Sequence, residues 1–366
     1  MNAFLVFIKP TLISALVAYI VSKVVIKEGN KLKIIDDPAK HIHPKVTHVR
    51  PVPRGGGIPI LGAVMVGGIL FLPHNTQTAG IIAGCLILAT VGFLDDRFEE
   101  KISPYTRLII NILAAICVIG VGIGIAYITS PWGGGIIHFD TPQWCFNLWG
   151  NQHCLWLLSD LFALLWLVWM QNIVGWSSGV DGQLPGFVIV AATTIAILAT
   201  RFPSDSSQII VISLAGVIAG AYAGFLPWNW FPQKIMPGYG GKSLAGFLLG
   251  ILAILSGAKV GAMVMVLGIP FIDAVLVIFK RIREGRSPVW GGREHLHHYL
   301  LDRGWSKTKI ASFYWFMSIL LAVLALQLKA ELKYFTMATV ILVISGTILW
   351  VQTWSTYSKP PGPDNG

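Results

Sequence analysis

The sequence predicts an all-α, polytopic integral membrane protein with about ten or eleven transmembrane helices, whose cytoplasmic loops carry the chemistry. Three observations predict it. Of the 366 residues, 54% are hydrophobic and only 12% charged, against about a quarter charged in ordinary soluble domains. That deficit runs along the whole chain, whose mean hydropathy is +0.69. Apolar stretches near the length needed to cross a bilayer, about 20 residues, also recur from one end to the other.

The expected spans are 4–25, 56–73, 79–94, 108–129, 155–174, 186–200, 208–226, 244–257, 260–279, 310–328 and 335–353. The first is long and no small-residue cleavage site follows it, so it reads as a retained span. Residues 1–366 read as one multispan unit, with 354–366, ending "SKPPGPDNG", as a disordered tail.

A formal net charge of +10 raises the question of nucleic acid. Its distribution argues for a membrane instead. All but five of the 27 Lys and Arg residues (Lys9, Arg201, Lys259, Lys329 and Lys333) lie in loops 23–54, 95–107, 227–243 and 280–309 or in the tail. Alternating spans put these segments, with loop 175–185, on one side. Basic loops stay in the cytoplasm, so this side is inside and the N-terminus outside. Cys85 and Cys117 lie within apolar spans and read as packing residues. Cys145 and Cys154 share the external loop 130–154, where an oxidising compartment allows a bridge.

The third span ends "GFLDDR", placing Asp95 and Asp96 at an apolar helix end. Neighbours on a helix point about 100° apart, which suits one carboxylate to a hard cation and the other to a second partner or to acid–base work. Mg²⁺ takes one or two carboxylates together with substrate phosphates. The bland alternative is an interfacial acid pair bridged to Arg97 and Lys101. "NIVGWSSGVDGQLPG", 172–186, places Asn172, Ser177, Ser178 and Asp181 around glycines that let backbone approach a ligand; otherwise it is a plain interhelical turn.

"NWFPQKIMPGYGGKS", 229–243, is not a Walker A loop, because Met236 stands where that motif needs its first glycine. Its Gly-rich turn at a helix start, with Lys242 and Ser243, still makes an anion site. The alternative is a turn anchored at the interface by Trp228 and Trp230. "KRIREGRSPVWGGREHLHH", 280–298, sets Arg281, Arg283, Arg286 and Arg293 before His295, His297 and His298, with Glu294 one turn from His298. Four arginines favour an anionic substrate over a transition metal on the histidines; a merely topogenic basic loop comes third. The first inner loop, 36–60, mixes Asp, Lys, His and Arg before a triple glycine, and Asp273 lies inside a span, a functional candidate by position.

Together "DDPAKHIH…PVPRGGGIPI", "GFLDDR", "NIVGWSSGVDG", "NWFPQKIMPGYGGKS" and "REHLHHYLLDRGWS", in this order over roughly 30–305, resemble the polyprenyl-phosphate N-acetylhexosamine-1-phosphate transferase superfamily. "HLHH" is similar to the branch using UDP-N-acetylglucosamine; the branch making the peptidoglycan lipid usually shows three consecutive histidines. The resemblance implies an Mg²⁺-dependent enzyme, Mn²⁺ being an alternative ion, that takes a polyprenyl phosphate and a UDP-amino sugar and releases UMP, for cell-envelope polysaccharide synthesis. It is compatible with a homodimer and leaves no role for nucleic acid.

By the same resemblance, Asp95 and Asp96 serve as the catalytic pair at the lipid phosphate and, with Asp181, at the metal. Asn172 and Asp181 sit by the nucleotide; Arg293, His295, His297 and His298 hold sugar and diphosphate. Lys40, His43, Arg54, Asn229 and Lys242 complete the expected substrate contacts. The chain departs from the family pattern at three positions: Gly175 stands for an Asn, and Ser178 and Tyr239 stand for acids. Lys242, appearing within three residues of Tyr239, is expected to offset the lost carboxylate by supplying charge to the diphosphate. Three other readings compete: a degenerate homologue that binds lipid phosphate or nucleotide sugar without turnover, a phospho-N-acetylmuramoyl-pentapeptide transferase of the same superfamily, and an ion transporter using Asp95, Asp96, Asp273 and the histidines.

Overall fold

The computed structural model describes residues 2–39, 48–98, 102–130, 135–148, 151–202, 204–257, 259–290, 292–328 and 330–357. It is a helical bundle with almost no sheet. The helices are α1 (Ala3–Leu32), α2 (Gly57–Phe71), α3 (Thr76–Arg97), α4 (Pro104–Ile119), α5 (Leu157–Trp176), α6 (Gln183–Ala199), α7 (Ser207–Asn229), α8 (Gly238–Leu255), α9 (Val260–Val266), α10 (Gly268–Arg283), α11 (Leu296–Asp302), α12 (Lys307–Gln327) and α13 (Ala330–Tyr357). Three short antiparallel pairs complete it: β1 (Ile35–Asp36) with β2 (Val52–Pro53), β3 (Tyr127–Thr129) with β4 (Ile136–His138), and β5 (Gln143–Leu148) with β6 (Asn151–Trp156).

Among the described residues, six helices are long and apolar enough to cross a membrane, or seven if the bent α9–α10 pair is one span. Four shorter apolar helices, Gly57–Phe71, Pro104–Ile119, Gln183–Ala199 and Ala338–Trp350, coincide with the remaining expected spans. The protein is an all-α polytopic membrane protein. Helix starts follow local chemistry: Asn75 and Ser103 accept from Thr78 N–H and Thr106 N–H at the starts of α3 and α4, satisfying amides that have no partner within the helix.

Several expected boundaries move. The span at 260–279 is broken, bending by 85° between α9 and α10. The span at 108–129 stops at Ile119, and Tyr127–Thr129 belong to β3. α8 begins at Gly238, six residues before the apolar run, where Gly240 packs closely on Gly57 and Gly92; this tertiary packing overrides the weak helix propensity of glycine. The tail expected from residue 354 is helical through Tyr357; 358–366 lie outside the described residues. The loop at 130–154 contributes to two hairpins, and Cys145 and Cys154, opposite each other in β5 and β6, form a disulfide.

α1 lies against α7 through glycines four residues apart. A Cβ on Gly216, Gly220 or Gly224 would fall 2.5, 2.3 or 2.0 Å from the carbonyl oxygens of Phe7, Thr11 and Ala15 respectively. Lipid tails offer no hydrophobic reward for helix pairing, so such close backbone approach is what holds membrane helices together. Gly224→Val should therefore destabilise the protein by about 1–3 kcal/mol, the usual cost of overpacking. A lowered thermal midpoint in detergent is the check.

Candidate active site at one end of the bundle

The inner-loop segments named from the sequence meet at one end of the bundle. Met236 N–H donates to Pro53 O (2.8 Å) and Gly56 N–H to Met236 O (3.0 Å), tying the first loop to the approach to α8. Tyr239 N–H donates to Asp96 Oδ1 (3.0 Å), tying α8 to the end of α3. Gly182 N–H donates to Asn229 Oδ1 (3.1 Å), and Lys307 Nζ to Asp181 Oδ1 (3.1 Å), bringing in the turn after α5, the end of α7 and the start of α12.

Asp95 and Asp96 are buried at the end of α3. Arg107 Nε donates to Asp95 Oδ1 at 2.6 Å, and the guanidinium lies 5.5 Å from the Tyr239 ring centroid. The Tyr239 hydroxyl donates to Asn111 Oδ1 (2.7 Å), with Arg107 O also within reach at 3.0 Å. Among the described residues, neither Asp95 Oδ2 nor Asp96 Oδ2 accepts a hydrogen bond, and neither atom is sealed from the surface. Arg54 and Lys242 act electrostatically on Asp96. Gly238, at φ 63°, makes room for this carboxylate: a Cβ there would sit 2.1 Å from Asp96 Oδ2 and 2.3 Å from Arg54 O. Two free carboxylate oxygens beside cations are a donor set that a hard divalent ion completes with phosphate oxygens.

The expected third metal ligand is elsewhere. Both Asp181 oxygens are taken, Oδ1 by Lys307 and Oδ2 by Gln233 N–H (3.2 Å). Among the described residues, no three His, Cys, Asp or Glu side chains gather to hold a metal. Asn229 is consumed structurally: Oδ1 takes Gly182 N–H while Nδ2 donates to Gln233 Oε1 and Ile235 O, both at 3.0 Å. Asn172 lies within α5 and donates back to Val168 O (2.7 Å). Lys40 and His43 lie outside the described residues.

The histidine segment sits over the glycine turn. A Cβ on Gly179 would come 1.9 Å from His297 Nε2, so the ring occupies space that only glycine leaves. His295, His297 and His298 are all buried, with the His295 and His297 rings 5.9 Å apart and nearly parallel, at 6°. Of the four arginines before them that are expected to hold an anion, three have acidic partners within the protein. Arg281 is buried and donates to Glu294 Oε2 (2.7 Å) and to the carbonyls of Pro288 and Trp290. Arg286 bridges Glu284 and Glu294, and Arg293 pairs with Asp302. Three of the four arginines thus fold the loop, since the acids within and just after it compete with substrate for them. Arg107 and Lys307, which from sequence alone read only as topogenic charge, pair with Asp95 and Asp181; these partners are distant in sequence and no local motif marks them.

Fold and site define a multispan membrane protein that gathers acids, cations, histidines and a Gly-rich helix start at one end. A family model, glycosyl transferase family 4, matches residues 78–257. The chain is 25% identical over 342 residues (91% of the chain, 88% of the relative) to the "Probable undecaprenyl-phosphate N-acetylglucosaminyl 1-phosphate transferase" of Bacillus subtilis. It is 29% identical over 291 residues (71% and 67%) to the decaprenyl-phosphate N-acetylglucosaminephosphotransferase of Mycolicibacterium smegmatis. It is also 25% identical over 331 residues (88% and 98%) to the phospho-N-acetylmuramoyl-pentapeptide-transferase of Moorella thermoacetica. The family match and these relatives together support a phosphotransferase of the polyprenyl-phosphate hexosamine-1-phosphate transferase superfamily.

Burial, reinforced by His298, His295, Lys242 and Arg293, holds the His297 imidazole well below its usual range. The unfolded chain takes up that proton below about pH 6.5 while the folded ring resists it. Stability from this residue is therefore present at neutral pH and lost as pH falls below about 6.5. His297→Gln should flatten that decline in thermal denaturation followed across the same pH range.

Proposed function

We propose that the protein transfers N-acetylglucosamine-1-phosphate from UDP-N-acetylglucosamine to a polyprenyl phosphate, giving a lipid-diphosphate sugar and UMP. The observation that carries the reading is the meeting of Asp95 and Asp96 with the start of α8, where Tyr239 N–H, Arg54 and Lys242 surround a carboxylate with an open oxygen. The "HLHH" segment and the names of the N-acetylglucosamine-transferring relatives support the choice of sugar.

In this reading a lipid phosphate oxygen attacks the β-phosphorus and UMP leaves. Phosphoryl transfer of this kind depends on positioning and charge neutralisation more than on covalent help from the protein. Asp95 and Asp96 would hold Mg²⁺ through their open oxygens, and the ion would neutralise diphosphate charge. Asp96 is kept in place by Tyr239 N–H, and Asp95 by Arg107. Lys242 supplies a point charge to the donor's diphosphate, offsetting the acid absent at Tyr239. The polar end faces the cytoplasm of the bacterial cell, the side on which basic loops are retained.

Purified protein supplied with Mg²⁺, UDP-N-acetylglucosamine and undecaprenyl phosphate should release UMP. Asp95→Asn and Asp96→Asn should each abolish that release in folded protein, and Lys242→Ala should weaken use of the nucleotide sugar. Unchanged rates in the two aspartate variants would sink the site assignment. Release only from UDP-N-acetylmuramoyl-pentapeptide would reassign the substrate, and nucleotide-sugar binding without release from any donor would mark a degenerate binder.

A further inference from the structure

Asp273 is a carboxylate with no exposure, set into α10 within the membrane-spanning part of the chain, and no step above uses it. Its two oxygens have separate tasks. Oδ1 accepts Leu296 N–H (2.9 Å), the first amide of α11, and Oδ2 lies 2.8 Å from His295 Nδ1. A carboxylate only accepts, and on that basis the shared proton is assigned to the ring, with His295 donating through Nδ1. The same carboxylate therefore fixes the start of the helix that carries His297 and His298 and chooses which nitrogen His295 commits to the protein.

The ring is held on its faces as well. Trp176, the last residue of α5, stacks on it at 6.1 Å and 28°, and His297 lies parallel on the histidine segment itself. Nε2 is left over. It has no hydrogen-bond partner among the described residues, yet it is not closed off from the surface as Nδ1 of His297 is. A ring fixed by stacking and by one nitrogen, with its second nitrogen open, is arranged to meet a ligand through that second nitrogen.

We propose that Asp273 is a positioning residue for sugar-phosphate transfer: it holds His295 in the Nδ1–H form, so that Nε2 meets the substrate and, in the neutral ring, accepts a hydrogen bond from a hydroxyl of the donor sugar. This rests on the transferase reading. Asn at position 273 keeps the volume but has only one accepting oxygen. If that oxygen stays with Leu296 N–H, the amide NH₂ faces His295 and forces Nδ1 to accept, moving the ring proton to Nε2 and spoiling the acceptor.

Two measurements decide it. Long-range ¹H–¹⁵N NMR of the full-length, ¹⁵N-histidine-labelled protein in detergent, with His295 assigned by its loss in His295→Gln, should show the Nδ1–H form in the wild type and the other tautomer in Asp273→Asn. An Nε2–H form in the wild type would overturn the proposal even if the variant failed to fold. In turnover assays Asp273→Asn should reduce kcat about 10–100-fold, as loss of a partner behind a working imidazole does. Asp273→Asn/His295→Gln should then be no slower than His295→Gln alone. Independent, multiplying losses would overturn the proposal. Absence of turnover in the wild type with every UDP-sugar would instead remove the transferase reading, with the NMR result still deciding whether Asp273 sets the tautomer.

Discussion

The contact on which the rest depends is the approach of two helix backbones, α3 and α8, with nothing between them. A Cβ on Gly92 would fall 2.3 Å from Gly240 Cα. Gly57 at the start of α2 closes on the same turn of α8, so three helices converge on one glycine. This approach puts Asp96, one turn beyond Gly92, within reach of Tyr239 N–H. An acid at the end of one apolar helix thereby meets the positive start of another, where backbone N–H groups favour negative charge. Phosphate chemistry at a membrane surface needs such a place, and glycine packing supplies it.

Charge around that contact is already balanced by protein groups. Asp95 has Arg107, Asp181 has Lys307, Glu294 has Arg281 and Arg286, and Asp302 has Arg293. Leaving one partner of a buried pair alone costs about 3–5 kcal/mol, so the two most buried of these pairs, Arg281–Glu294 and Lys307–Asp181, restrict which side chains can turn to a substrate. The restriction explains how a strongly basic chain directs only certain cations at the acid pair. It also gives Tyr239 a role: where the family pattern has an acid, this chain has an aromatic ring under Arg107 and a hydroxyl bonded to Asn111.

Much of this was legible in the sequence because long apolar runs and basic loops are one-dimensional signals. They located the spans and assigned the five loops that meet at one end. What escaped were features set by distant partners. The break at Leu267 lies inside a long apolar run, where hydropathy does not mark it and the only local signs are Gly268 and Pro270 just after it. Asn229 has the chemistry of a ligand-binding amide, yet its hydrogen bonds are spent on the backbone of the turn before α6 and of its own loop. Arg107 and Lys307 looked like topogenic charge because their acids lie 12 and 126 residues away. Asp273 stood out as an acid within a span, but only the fold reveals His295 as its partner.

The most direct test of this account is the UMP-releasing activity of Gly92→Ala. The substitution touches no charged or polar side chain, and the added methyl must move α8 away from α3, lengthening the contact between Tyr239 N–H and Asp96. The account predicts a protein that still folds in detergent and retains its helix content but has lost most of its transfer activity. A Gly92→Ala protein that turns over at the wild-type rate would contradict it.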